Sequence, residues 1–302
     1  MSQQERILSE AHAVEALRPR APRLRRLMVT ARQKPLGTFS AIIIMAMIIM
    51  AIFAPYISPY DPYEPQSNAR ILGPSPRFLF GTDGLGRDLL SRIIFGARIS
   101  LWVGIISVGL GTFSGSILGL ISGYWEGKTD LIIQRIMDSI MAFPALVLAM
   151  VMMSVLGPSL NNVMIAIAVV IAPGASRIVR GTVLSVKQNQ YVDAARCIGA
   201  TDLRILSWHI LPNVAAPIII IVSVMLGSAI LIEAGLSFLG LGTPPPTPSW
   251  GGILSGEGRR NMENAPWIAL APGLAISLAV LAFNLLGDAL RDIWDPRLRG
   301  SR

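Results

Sequence analysis

Residues 139–176 carry no charged side chain over 38 consecutive positions. Wound as one helix, that run would be about 57 Å long, close to twice the roughly 30 Å core of a bilayer. The run therefore has to fold back, and Gly157-Pro158-Ser159 near its middle suits a tight turn between two membrane helices. Two further stretches, 35–60 and 99–125, are also free of charge, the first being densest in apolar residues over 36–54. The third span starts near Leu131 and takes in Arg135 and Asp138; the fifth covers about 214–239 and contains Glu233; the sixth lies between Glu263 and Asp288. The reading is an all-α membrane protein with six transmembrane helices, so both termini share one side.

Basic residues decide which side. With the termini inside, 19 lysines and arginines fall on inner segments and 7 on outer ones, which places both termini in the cytoplasm. This placement also accounts for the net charge of +8 without a nucleic-acid partner. Charged residues are only 15% of the chain, against about a quarter in soluble domains. The 34 residues before the first apolar run are too long and too basic for a cleaved leader, so the first span is expected to stay. The stretch 18–26 of that tail could touch anionic lipid. One cysteine, Cys197, leaves no internal disulfide, and His12 and His209 are too far apart in sequence to suggest a ligand pair, so no metal site is expected.

The loops have character of their own. Prolines at 59, 62, 65, 74 and 76 keep the first half of the first outer loop extended, and residues 87–98 suit a short helix lying at the membrane surface. The glycines and acids of residues 81–88 could suggest an ion loop, but Arg87 beside Asp88 offers an internal partner. The second outer loop, 243–250, reads as a stiff polyproline-like rim ending in Trp250. Asp138 is expected to pair with Arg135, one turn back. Glu233, an acid within a span, either faces the pathway or pairs structurally; Glu233 and Trp250 are the candidate pathway or gate residues. Gly127-Lys128-Thr129 is not a phosphate loop, because Ser122 stands where its first glycine belongs.

The longest inner loop, from about 177 to 211, is helical in composition. Tyr191-Val192-Asp193-Ala194-Ala195-Arg196-Cys197-Ile198 precedes Gly199, which suits a left-handed helix end. Thr201 is placed to cap a second helix, with Asp202 in its first turn, and that helix is expected to end before Pro212.

This segment resembles the binding-protein-dependent ABC importer permeases, whose signature is an acid, two alanines, a spaced glycine and a leucine-proline. Here the residues are Asp193, Ala194, Ala195, Gly199, Leu211 and Pro212, with aspartate where the family more often has glutamate. Gly81-Thr82-Asp83-Gly84-Leu85-Gly86-Arg87-Asp88 looks like the outer-loop signature of the second permease in the dipeptide, oligopeptide and nickel branch. Leu236-Ser237-Phe238-Leu239-Gly240-Leu241-Gly242 and Leu281-Ala282-Phe283-Asn284-Leu285-Leu286-Gly287-Asp288 match that branch as well.

The resemblance implies a type I ABC importer permease fold in the bacterial inner (plasma) membrane. It implies a basic cytosolic tail at 1–35, a first helix and periplasmic loop at 36–98, a five-helix core at 99–290 with a coupling loop at 181–212, and a cytosolic tail at 291–302. It also implies transport of short peptides, glutathione among them, by alternating access, with no catalytic residue in this chain. The implied partners are a second permease subunit, a periplasmic substrate-binding protein and two cytoplasmic ATPase subunits that hold ATP and magnesium. Nickel is the alternative cargo within the branch. An ion-coupled secondary transporter is the alternative outside it.

Overall fold

A computed structural model describes residues 34–294, and every described regular element is helical. Most of the expected N-terminal tail, residues 1–33, and residues 295–302 of the C-terminal tail lie outside the described residues.

Helix α1, Pro35–Ile52, opens on a proline, whose missing N–H costs nothing in a first turn. A short α2, Ala54–Ile57, leads into the outer loop. Helix α3 runs Leu89–Trp125 without interruption, capped where the Asp88 carboxylate accepts the Ser91 backbone N–H at 2.8 Å. At 37 residues α3 is about 55 Å long. The expected separate surface helix at 87–98 is therefore the first part of this continuous helix. The charges there do not stop the helix because the loop receives them: Arg92 reaches Asp83 at 3.5 Å and donates to the Pro62 carbonyl at 3.2 Å.

The third span is not one helix. Helix α4, Gly127–Met141, and α5, Ala145–Leu156, meet at 91°. Pro144, with extended backbone, has no N–H to continue the helix. The 12 residues of α5 reach only about 18 Å, so the crossing needs both pieces. Five long apolar helices, with this bent pair counted as one span, give six candidate crossings.

Helix α6, Leu160–Lys187, starts at a genuine cap, the Ser159 hydroxyl accepting from the Asn162 N–H at 3.1 Å, and at 28 residues is longer than a bilayer core requires. Helices α7, Gln190–Cys197, and α8, Asp202–Ile205, form the inner hairpin. A π turn, Leu206–Ile210, joins α8 to the membrane helix α9, Leu211–Phe238. The short α10, Trp250–Ile253, precedes α11, Trp267–Trp294. The proline-rich rim does not run extended throughout, since it turns at residues 245–246.

The central seam is α3 against α6, the most extensive helix pairing among the described residues. Gly111, Gly115, Gly119 and Gly123 recur every fourth residue along α3. A Cβ on Gly115 would overlap the Ala172 carbonyl, and one on Gly119 the Ser176 carbonyl. Two backbones in van der Waals contact replace the hydrophobic drive that is missing between helices in lipid. Helices α1, α9 and α11 pack around the outer half of α3 through Ile44, Met47, Ile230, Ala279 and Phe283.

Candidate functional site

The inner hairpin is built to hold one face and offer the other. Gly199 has φ of +81°, a conformation that other residues adopt at a cost. Around it the Gly199 N–H donates to the Arg196 carbonyl at 2.9 Å, and the Ala200 N–H to Ala195 at 3.0 Å. That pair of bonds closes the helix end and turns the chain sharply. Val192 and Ala195 point inward onto Val179 and Val183 of α6, with Tyr124 of α3 and Ile205, Ile210 and Val214 completing the cluster.

The opposite face stays open. Ile198 is 86% and Leu203 77% exposed, on either side of the Gly199 bend. Asp193 and Ala194 are exposed with them. The Asp193 carboxylate has only a 3.3 Å contact with Arg196, on the same helix. A depression of about 440 Å³, bounded by Tyr191, Ala194, Ile198, Arg204 and His209 among others, opens beside the helix. Leu211 and Pro212 begin α9 and are also exposed. Tyr191 bridges the two halves of the motif, its hydroxyl accepting from Asn213 Nδ2 at 3.3 Å.

Two local expectations need correction. Thr201 occupies the cap position with extended backbone, but its side chain caps nothing. The Asp202 carboxylate instead accepts the Tyr124 hydroxyl at 2.6 Å, tying the hairpin to the end of α3. Nor does the second helix end before Pro212. The π turn lets the Leu211 N–H reach back to the Leu206 carbonyl, and Asn213 Nδ2 donates to the His209 carbonyl at 2.7 Å. Widening the turn carries the helix past a residue that cannot donate.

Beside the hairpin lies a polar junction that the sequence reading did not find. The Arg180 guanidinium grips Asp130 of α4 with Nε at 2.6 Å and Nη2 at 2.5 Å. Ser122 of α3 donates to the same carboxylate, and Gln134 donates to Ser122 at 2.9 Å. Lys187 holds Glu126 at 2.7 Å and the Tyr124 carbonyl at 2.6 Å. Asp138 pairs with Arg177 of α6 at 2.6 Å, not with Arg135. The available signal was two acids eight residues apart on one inner segment and three bases on the next, a pattern that only the fold brings together.

At the outer end, Glu233 is fully buried and accepts from Ser237 at 2.8 Å and Ser100 at 3.1 Å. Trp250 is buried beside it, its indole N–H donating to the Ile93 carbonyl at 3.0 Å. Its ring lies against Gly96, where an added Cβ would come within 2.9 Å. Within this chain the two candidate gate residues are fully buried where α3, α9 and α10 meet. The 81–88 loop also closes on itself. Asp83 accepts from Arg87 Nε at 2.7 Å and from the Leu85 and Arg87 backbone N–H groups at 2.9 Å. The partner of Arg87 is thus Asp83, and Asp88 serves as the cap of α3.

With bent span, hairpin and motif in place, the class is an importer permease, and comparison with known proteins agrees. Residues 115–300 match the family described as binding-protein-dependent transport system inner membrane component, and residues 24–74 match the N-terminal transmembrane domain of oligopeptide transport permease C. The chain belongs to the binding-protein-dependent transport permease family.

Among its relatives, the glutathione transport system permease protein GsiD of Escherichia coli O6:K15:H31 is 45% identical over 274 residues, covering 89% of each chain. A Brucella suis protein provisionally named as a peptide transport system permease is 44% identical over 258 residues, 85% of this chain and 86% of its own. The inward-facing MetNI methionine ABC transporter has the same fold, with a TM-score of 0.55 at 18% identity, covering 68% of this chain and 97% of that one. The chain is therefore a multi-pass membrane permease of the type I ABC importer fold.

Proposed function

We propose that the chain is one of two permease subunits of an inner-membrane importer for short peptides, glutathione included, driven by two cytoplasmic ATPase subunits. The names of its relatives support the cargo class. The observation that carries the mechanism is the two-faced hairpin. A large apolar residue left 86% exposed on a cytosolic bend, beside an unburied Asp193, suits a surface completed by another protein.

A periplasmic binding protein delivers the peptide to the outer mouth, which this chain forms with the second permease. ATP and magnesium sit on the ATPase subunits, which close on nucleotide and carry the hairpins with them. The helices then rock between inward-open and outward-open states, biased by how differently the hairpin docks in the two nucleotide states. Asp193, Ala194 and Gly199 act at the docking face, Ala195 beneath it, and Leu211 and Pro212 where the hairpin enters the membrane. Glu233 and Trp250 hold the outer ends of α3, α9 and α10 together.

Uptake by the reconstituted complex, competed with dipeptides, tripeptides, longer peptides, glutathione and nickel, tests the cargo. Competition by short peptides or glutathione is expected. Competition by nickel alone would overturn the cargo assignment.

A further inference from the structure

Among the described helices, α4 buries little of itself and is held chiefly by polar contacts. Of its 15 residues only Met137 is buried, while Leu131, Ile132 and Ile136 are all more than half exposed. Apolar packing within the chain therefore does little to set its position. What holds it is polar: the two-pronged Arg180 grip on Asp130, the Ser122 hydroxyl on the same carboxylate, and the Asp138–Arg177 pair. A forked guanidinium contact fixes orientation as well as distance.

The anchors of α4 are also the anchors of the hairpin. On α6, Arg180 lies between Val179 and Val183, which pack beneath Val192 and Ala195. On α3, Ser122 binds α4 while Tyr124, two residues on, binds Asp202 of the hairpin. Lys187 closes the set through Glu126 at the start of α4. One short stretch of α3 and one of α6 thus grip the hairpin by an apolar face and α4 by a polar one. Beyond α4 lies the 91° bend and α5, the one bent helix pair of span length among the described residues.

We infer that Asp130 and Arg180, with Ser122, are positioning residues that carry movement of the docking hairpin into the bent third span. The inference rests on the reading of the hairpin as the ATPase-docking element. Without the junction, the hairpin can still be moved by nucleotide, but α4 no longer follows.

The test uses the whole complex with a cysteine placed at Leu131 of α4. Its labelling by a water-soluble maleimide is mapped by mass spectrometry, so that Cys197 is counted apart. Labelling is compared without nucleotide and after trapping with ATP and vanadate. The unmodified junction is expected to give a nucleotide-dependent labelling rate. Arg180→Ala is expected to lose that dependence while nucleotide is still trapped and ATP still hydrolysed. Arg180→Lys, a milder change that keeps the charge but not the fork, should lose part of it. The exchange Asp130→Arg with Arg180→Asp should restore it.

Full dependence persisting in Arg180→Ala would overturn the inference, as would a complex that traps nucleotide with no labelling change even when the junction is intact. Loss of trapping and labelling change together, with no rescue by the exchange, would also overturn it, marking the pair as a folding element only. Failure of the chain to co-purify with an ATPase subunit would instead remove the docking reading beneath it.

Discussion

The outer loop and the inner hairpin both stand outside the bilayer, yet their functional groups are disposed in opposite ways. In the outer loop Asp83 is 1% exposed and is ringed by Arg87, Arg92 and backbone N–H groups of its own segment. In the hairpin Asp193 lies open, and Ile198 and Leu203 project into water. One region completes its interactions within the chain. The other leaves them incomplete, as the proposed docking of a partner there requires. A signature motif alone does not separate these cases, because both segments carry one; burial does.

The widest separation between a closed region and an open one comes from the helix seam. Gly115→Leu puts a side chain where the Ala172 carbonyl stands, and neither backbone has room to retreat. The overlap is expected to cost about 3 kcal/mol, the upper end for overpacking. The chain should then fail to extract as a monodisperse species, as size-exclusion chromatography would show.

Next in size is the outer loop. Asp83→Ala leaves the buried Arg92 and the half-buried Arg87 without their carboxylate, at a cost of about 3 kcal/mol. A lowered melting temperature is expected, with ATPase co-purification unchanged.

The hairpin should behave differently. Ala194→Trp blocks the open face and is expected to cut uptake about tenfold, as a clash of about 1.4 kcal/mol would, with no loss of thermal stability. Ala195→Trp, one residue away but 5% exposed, should lower both uptake and melting temperature. Equal behaviour of the two variants would erase the distinction between faces.

The smallest effect is expected at the outer helix junction. Glu233→Gln keeps an acceptor for Ser100 and Ser237, so stability should move by no more than about 1 kcal/mol in thermal unfolding, and uptake should persist.

Much of this architecture was legible in the sequence, for a physical reason. A bilayer demands apolar runs of a set length, so charge-free stretches located the crossings, and Gly199 located the hairpin turn. Interactions between distant segments were not legible in that way. Asp138 chose Arg177 over Arg135 because α6 packs alongside α4. Arg92 did not end a helix because Asp83 and the Pro62 carbonyl receive it. The break at Pro144 was hidden inside an apolar run, where composition gives no contrast. The glycines of the α3 seam, by contrast, stood in plain view at every fourth position; what they meant depended on which helix lay opposite.

The open face of the hairpin is predicted to meet a nucleotide-hydrolysing subunit. A photoreactive amino acid placed at Ile198 and irradiated in native membranes measures this directly. An adduct with the ATPase subunit, changing in yield when ATP is trapped, is the predicted result. Adducts with lipid alone, in every nucleotide state, would contradict it.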